Sequence, residues 1–400
     1  MSRTPATVAI EVAWLPTHLG EFKLDSSQLN STDTLGGDFG GNVFEAITQD
    51  VKSVQITRGR GGDLSVIEQG RCVLELADTN GKYNPENPSS PLAANLDILK
   101  PLRVKATHLG IEYPLFYGFT SKIEHDPAKD SQSSRIEAVD FFEWLQATKP
   151  VIAATGPTTV GAVIGKILDA LTWTDPTKRD LDVGKSIPDF SADGTQSAMQ
   201  LIEDLLKVEL GLVFVDGAGV VVFIEGESRW ANLPPEDVFG NDVMSLARPG
   251  IDKQDIINRQ TVIREGGAPQ TYTDPGIPPG RPYYDGEIIQ TPYLSTDGQA
   301  LSLATMIVSL RKGGRPPTRG VVIWDRDDVA ILKQMQREVG DSVAVTEELG
   351  GTDLQGNIAG LIHELAPGGL HKTTYLLTKR SFAGWTIDGS LIDGGDVLTY

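Results

Sequence analysis

Up to about residue 145 the chain carries its apolar residues in short alternating runs, and near Pro150 the period changes to that of a helix. The runs are Val8 to Trp14, Val51 to Arg60, Cys72 to Asp78, Pro101 to His108, Pro114 to Asp126 and Ser134 to Leu145. Alternation puts every second side chain on one buried face, and short runs spaced by turns make an antiparallel barrel or sandwich. Between them, Ser26 to Asn42 reads as a surface loop because Gly, Ser, Thr and Asp dominate it. Thr79 to Leu92 is a turn-rich connection in which Asn80-Gly81 suits a two-residue turn.

After Pro150, Val160, Val163, Ile164, Ile167, Leu168 and Leu171 share one helical face, with Thr158 or Thr159 as the cap. A second helix runs from about Gln196 to Leu210, with Met199, Ile202, Leu205 and Leu206 on its apolar side and Gly211 as its stop. Two β-branched runs around Asp216 to Gly219 then form a hairpin. A third region opens on a strand near Ile257, followed by a Pro/Gly/Tyr loop from Gly266 to about Pro292. Next come a helix carrying Leu303, Ile307 and Leu310, a strand from Arg319 to Trp324, and a helix capped by Asp325 or Asp327 and stopped by Gly340. Strands at Asp341 to Glu348, Gly356 to Gly368 and Lys372 to Arg380 lead to the tail from Trp385. The expected domains are 1–150, a β-barrel; 151–245, a small α/β unit; and 246–400, a second β-barrel with a helical insertion at about 297–340.

Composition narrows the function. Gly (43) and Pro (24) are in excess, as many turns between short strands require. A net charge of −19 argues against a protein that binds nucleic acid by neutralising phosphates, and favours solubility or a wall to which nucleic acid does not stick. The single cysteine, Cys72, lies in an apolar run and reads as a buried, inert thiol. No signal peptide and no apolar stretch long enough to cross a membrane as a helix is visible, so the expectation is a soluble protein made in a cytoplasm.

The residues that could carry chemistry have structural explanations. His363 and His371 flank the turn Pro367-Gly368-Gly369 and can face each other, but Glu364 is the only further ligand nearby, so a structural pair is expected over a metal site. His18, His108 and His125 are isolated, and His125 reads as solvated. Gly36 to Gly41 and Gly59 to Asp63 lack the Lys-Ser/Thr of a phosphate loop and read as turns. No G-x-S-x-G occurs, and among 54 carboxylates nothing selects a catalytic pair. Tyr272, Tyr283, Tyr284 and Tyr293 gather in the 266–293 loop as a contact surface for protein or, secondarily, sugar. No catalytic, cofactor-binding or metal-binding residue is assigned, and no cofactor is expected.

Three stretches resemble the tail hub and minor tail proteins of bacteriophages, the family of baseplate hubs and the N-terminal part of tail-associated lysins. The first runs from Ser53 to Leu145 and includes Leu76, Asn80, Gly81, Tyr83 and Pro85, which approximate that family's turn. Phe116, Gly118, Asp140 and Leu145 match it well. The second is the helix–helix–hairpin of residues 158 to 226. The third contains Gly340, Asp341, Val343, Val345, Thr346, His363, Pro367, Gly368, Gly369, His371 and Thr373. The resemblance implies a β-rich α+β chain with two tail-tube-like barrels flanking a small α/β domain. It further implies a homotrimeric, non-enzymatic adaptor at the virion's tail tip, assembled in the host bacterial cytoplasm. Its partners would be the distal tail ring, the tape measure and tip-fibre proteins, with DNA passing only through the lumen and no stable membrane insertion. Ending at Tyr400 soon after the second barrel leaves no room for an appended lysin, which speaks against the alternative of a polysaccharide-binding or wall-degrading tail protein.

Overall fold

A computed structural model describes residues 3–14, 43–59, 68–127, 132–230, 234–241, 244–246, 256–312, 318–347, 352–366 and 370–379. The loop expected at Ser26 to Asn42, His18, the turn at 367–369 and the tail from Trp385 lie outside the described residues.

The N-terminal strands are β1 (Thr7–Val12), β2 (Glu45–Ala46), β3 (Val51–Gly59), β4 (Arg71–Ala77), β5 (Pro101–His108), β6 (Ile111–Asp126) and β7 (Ser133–Val139). All six alternating runs form strands here, but the last stops early. Its end turns into helix α1 (Phe142–Ala147), because Asp140 accepts the Phe142 N–H at 2.9 Å while Phe142 and Leu145, three apart, are buried. Asn80-Gly81 is not a hairpin turn either. It opens a succession of tight turns, with Gly81, Asn84, Asn87, Ser90 and Ala93 each donating to the carbonyl three residues back, and this winding connection buries Tyr83.

The middle of the chain holds the short strands β8 (Val151–Ile152) and β9 (Thr158–Thr159), helix α2 (Val160–Ala170), and strands β10 (Arg179–Leu181), β11 (Ser186–Ile187) and β12 (Ala192–Asp193). Helix α3 (Ala198–Glu209), the hairpin β13 (Leu212–Val215) and β14 (Val221–Ile224), and helix α4 (Gly226–Trp230) follow. Thr159 caps α2 as expected, and α3 ends with Leu210 in the left-handed region at φ 57°, one residue before the glycine expected to stop it. Ser197 and Gln200 form a reciprocal capping box at the α3 N-terminus. Ser197→Ala is therefore expected to cost about 1 kcal/mol, read as a lowered urea midpoint at unchanged slope.

The remainder comprises β15 (Asp237–Phe239), β16 (Met244–Leu246), β17 (Arg259–Arg264), β18 (Gln270–Thr273), β19 (Ile289–Thr291), α5 (Asp297–Arg311), β20 (Thr318–Trp324), α6 (Asp328–Gln336), β21 (Ser342–Glu347), β22 (Thr352–Ala366) and β23 (Leu370–Lys379). Asp327 caps α6, which ends at Gln336, four residues short of Gly340.

A single 13-stranded sheet runs β16-β20-β23-β22-β3-β4-β7-β6-β5-β1-β2, with β21 on β22 and β15 parallel to β21. The protein is thus β-rich with one large mixed sheet, which the two ends of the chain build together. Among the described strands, the pairing that joins the two halves is β3 with β22, from Gly59 opposite Gly360 to Val54 opposite Leu365. Each half curls on itself. The Ile47 N–H donates to the Ile10 carbonyl at 2.8 Å, so the segment leading into β3 also flanks β1. Likewise β15 lies beside β21 while β16, a few residues on, lies beside β20.

Three cores follow. The N-terminal sheet encloses Ile10, Ile56, Leu74, Val104, Phe116 and Ile136, all nearly inaccessible. A second core, with Ile323, Val343, Leu361 and Tyr375, fills the C-terminal half. Helix α6 sits between them, giving Ile331 and Met335 to the first and Ala330 to the second. The third core gathers α1, α2, α3, one face of the β13–β14 hairpin, and Leu303, Ala304 and Ile307 of α5. Helix α5, assigned from sequence to the region of the second barrel, therefore packs with the middle of the chain.

Candidate functional site

Where the three cores meet, β3 delivers a buried cation. The Arg58 side chain is 3% exposed and its Nη1 lies 2.7 Å from Glu338 Oε1, in the connection between α6 and β21. Arg58 Nη1 also reaches the Val215 carbonyl at 3.4 Å, and Glu338 Oε2 accepts the Gly217 N–H at 3.3 Å. One ion pair thus ties β3, the β13–β14 turn and the α6–β21 connection. The turn docks tightly: a Cβ at Gly217 would lie 2.2 Å from the Pro114 carbonyl oxygen of β6. Only glycine permits that approach.

Carboxylates surround this pair. Asp140 is buried and accepts N–H groups from Gly70 at 2.7 Å and from Phe142; burial pushes its pKa up to about 7 against those bonds and the pull of Arg58. Burial also raises Asp216, whose Oδ1 accepts from Ala218 and Val220, and lifts Asp341 to about 6. The arrangement holds segments together; the described cluster contains no nucleophile with an adjacent base.

The histidines lie along the same junction. His363 of β22, in register with Ile56 of β3, has its Nδ1 3.0 Å from Nε2 of His371 and 2.9 Å from the Thr373 hydroxyl. The expected pair therefore forms, but Glu364 points to the other face and bonds Lys372. Thr373, which the metal argument from sequence did not use, completes the group instead. Among the described residues no three or more His, Cys, Asp or Glu side chains come together as a metal site.

Other candidates move elsewhere. His125 is not solvated: its Nδ1 lies 2.9 Å from Ser134 Oγ and 3.1 Å from Asp78, inside a network that also holds the Lys82 and Tyr83 N–H groups. His108 is buried 3.7 Å from Asp328. Cys72 is buried, and burial pushes its thiol up, so the thiolate nucleophile is disfavoured. The tyrosines do not form one exposed surface. Tyr293 is buried and stacks on Phe190 at 6.0 Å, Tyr272 packs against the middle core, and Tyr283 is the exposed member. Of the glycine-rich segments, Gly59 alone is described, as the end of β3.

A cleft of about 350 Å³ opens between β1 and β3, which are not ladder partners, lined by Ala6, Val8, Ile10, Val54 and Leu365 together with Thr48. Its lining is largely apolar, and the hydroxyl of Thr48 in its wall is already taken up by the Ile10 backbone.

No protein-family model matches the chain, and no curated protein matches its sequence. Solved structures do. The tail protein of Neisseria meningitidis superposes with a TM-score of 0.61 at 10% identity, covering 94% of this chain and 97% of the other. The 43 kDa tail protein of prophage MuSo2 from Shewanella oneidensis gives 0.56 at 16% identity, covering 85% and 96%. The resemblance read from the sequence is borne out at the level of structure: along nearly its whole length, this chain has the fold of these tail proteins.

Proposed function

We propose that the chain is a structural, non-enzymatic protein of a phage or prophage tail, acting as a homotrimeric hub at the tail tip. The observation that carries this reading is the likeness in fold, over 94% and 85% of this chain, to two tail proteins that are themselves matched over nearly their whole length. The fold supports it physically. Each chain contributes two curled sheets fused at β3–β22, and three copies would present six such sheets to a six-fold ring. In this reading the two halves are equivalent tail-tube-like barrels, the acidic composition lets DNA pass through the lumen without sticking, and the neighbours are the distal ring, tape measure and tip-fibre proteins.

An electron-microscopy map of the assembled particle tests this directly. Three copies around the tail axis, each with two superposable sheets, is the expected result; absence of the chain from the particle overturns it. The purified protein is expected to release nothing from peptidoglycan or host polysaccharide. Turnover abolished by changing one carboxylate would establish the enzymatic alternative.

A further inference from the structure

We propose that Asn80 is a site of spontaneous covalent modification, losing its side-chain amide through a cyclic imide closed by the Gly81 nitrogen. Asn80-Gly81 is the one Asn-Gly step in the chain. The reaction needs an asparagine carboxamide that is free to turn. It also needs a following backbone nitrogen that is unshielded and can shed its proton. Glycine, with no side chain, leaves that nitrogen open and the backbone around it adaptable.

The local structure meets both needs. Asn80 is exposed, and none of the described residues holds its carboxamide by a hydrogen bond. The Gly81 N–H reaches the Asp78 carbonyl at 3.5 Å, at the limit of hydrogen bonding, so little is lost when its proton leaves. The firm bonds fall on either side. Asp78 accepts the Lys82 N–H on Oδ1 at 2.6 Å and the Tyr83 N–H on Oδ2 at 3.1 Å. The Gly81 carbonyl accepts from Asn87 Nδ2 at 2.9 Å. Thr79 and Asn80, both exposed, form the span between those anchors.

Other asparagines lack one requirement or the other. Asn84 and Asn87 each precede a proline, whose nitrogen carries no proton. Their side-chain oxygens are also engaged, accepting the Glu86 and Ser89 N–H groups at 3.0 Å. Asn258 and Asn357 are buried; the first accepts the Tyr284 N–H at 2.7 Å and the second donates to the Arg229 carbonyl at 2.7 Å.

The step balances with water as its only co-reactant. The Gly81 nitrogen gives up its proton and bonds to Asn80 Cγ. The Cγ–Nδ2 bond breaks, and the amide nitrogen leaves as ammonia, carrying that proton. Water then opens the imide. Attack at the side-chain carbonyl leaves aspartate, whereas attack at the main-chain carbonyl leaves isoaspartate, which lengthens the backbone by a methylene. Either product adds a negative charge to an exposed turn.

Tryptic mapping of the full chain tests this, because the peptide from Cys72 to Lys82 holds Asn80 as its only asparagine. Asn84, Asn87 and Asn95 fall in the next peptide. After the folded protein has stood for days at mildly alkaline pH, mass spectrometry is expected to find the first peptide converted from amide to acid, well ahead of the second. The acid form should elute as two isomers. Its rate of formation is expected to rise about tenfold per pH unit, with the deprotonated fraction of the Gly81 nitrogen. Asn80→Gln, whose longer side chain closes a larger ring more slowly, is expected to stay unconverted. Persistence of the amide in the folded chain, over an interval in which the urea-unfolded chain converts, overturns the proposal. So does aspartate as the single product, since direct hydrolysis of the amide forms no imide.

Discussion

Arg58→Ala is expected to destabilise the folded chain by about 3–5 kcal/mol, the usual cost of removing one partner from a buried ion pair. The guanidinium is 3% exposed and is shared by three segments far apart in sequence, so its removal strips Glu338 of its cation and Val215 of a donor. It also withdraws positive charge from Asp140 and Asp216, which burial already disfavours as anions. Glu338 is itself 28% exposed and can be partly rehydrated, which favours the lower end of that range. Urea unfolding followed by far-ultraviolet circular dichroism measures the loss; a change under about 1 kcal/mol would show that the junction contributes little. Arg58→Met, which keeps the volume and drops the charge, is expected to recover part of the loss but not all, because the surrounding carboxylates remain.

Gly59→Val should be the second most damaging change, at about 3 kcal/mol or more, through backbone geometry instead of charge. Gly59 has φ +87°, a region that branched side chains scarcely enter. A Cβ there would lie 2.3 Å from the Ala359 carbonyl oxygen and 2.6 Å from the Gly360 Cα, both on the paired strand β22. Both atoms are backbone, which cannot swing aside as the end of a flexible side chain can, and the register of β22 against β23 shifts at this same point, between Ile358 and Gly360. Thermal unfolding gives the magnitude, and hydrogen exchange localises it: residues 54–59 and 360–365 should lose protection before the middle core. Uniform loss of protection would mean that the β3–β22 seam is not the weak point.

Helix and strand positions were largely legible in the residues, for a local reason. Alternation from Pro101 to His108 and the helical stripe through Val160, Ile164 and Ile167 both report which face is buried, and the structure places the strand and helix there. Misreadings occurred where a local pattern had a non-local solution. The run ending at Leu145 kept its apolar density while passing from strand to helix, and hydrophobicity alone does not mark that change, which comes where the Asp140 carboxylate accepts the Phe142 N–H. His125 looked exposed at a strand end, yet Asp78, just past the end of β4, and Ser134 of β7 enclose it. The tyrosines of the long loop looked like one surface, but the middle core draws Tyr293 inward and leaves Tyr283 out.

What the sequence by itself determined was the class of the molecule: many short strands around a helical middle, acidic, without a recognisable nucleophile or metal cage. Those properties depend on composition and on periods of a few residues, which one strand or helix suffices to express. The tertiary structure alone decided that the two strand-rich ends form one sheet, that α6 serves two cores and that α5 joins the middle. It alone brought Arg58 to Glu338 across 280 positions, and His363 to Ile56 of the opposite half. Nothing in a strand's own alternation names its partner. Pairing is chosen by which edges and apolar faces remain unburied once the whole chain has collapsed, and that choice belongs to the fold.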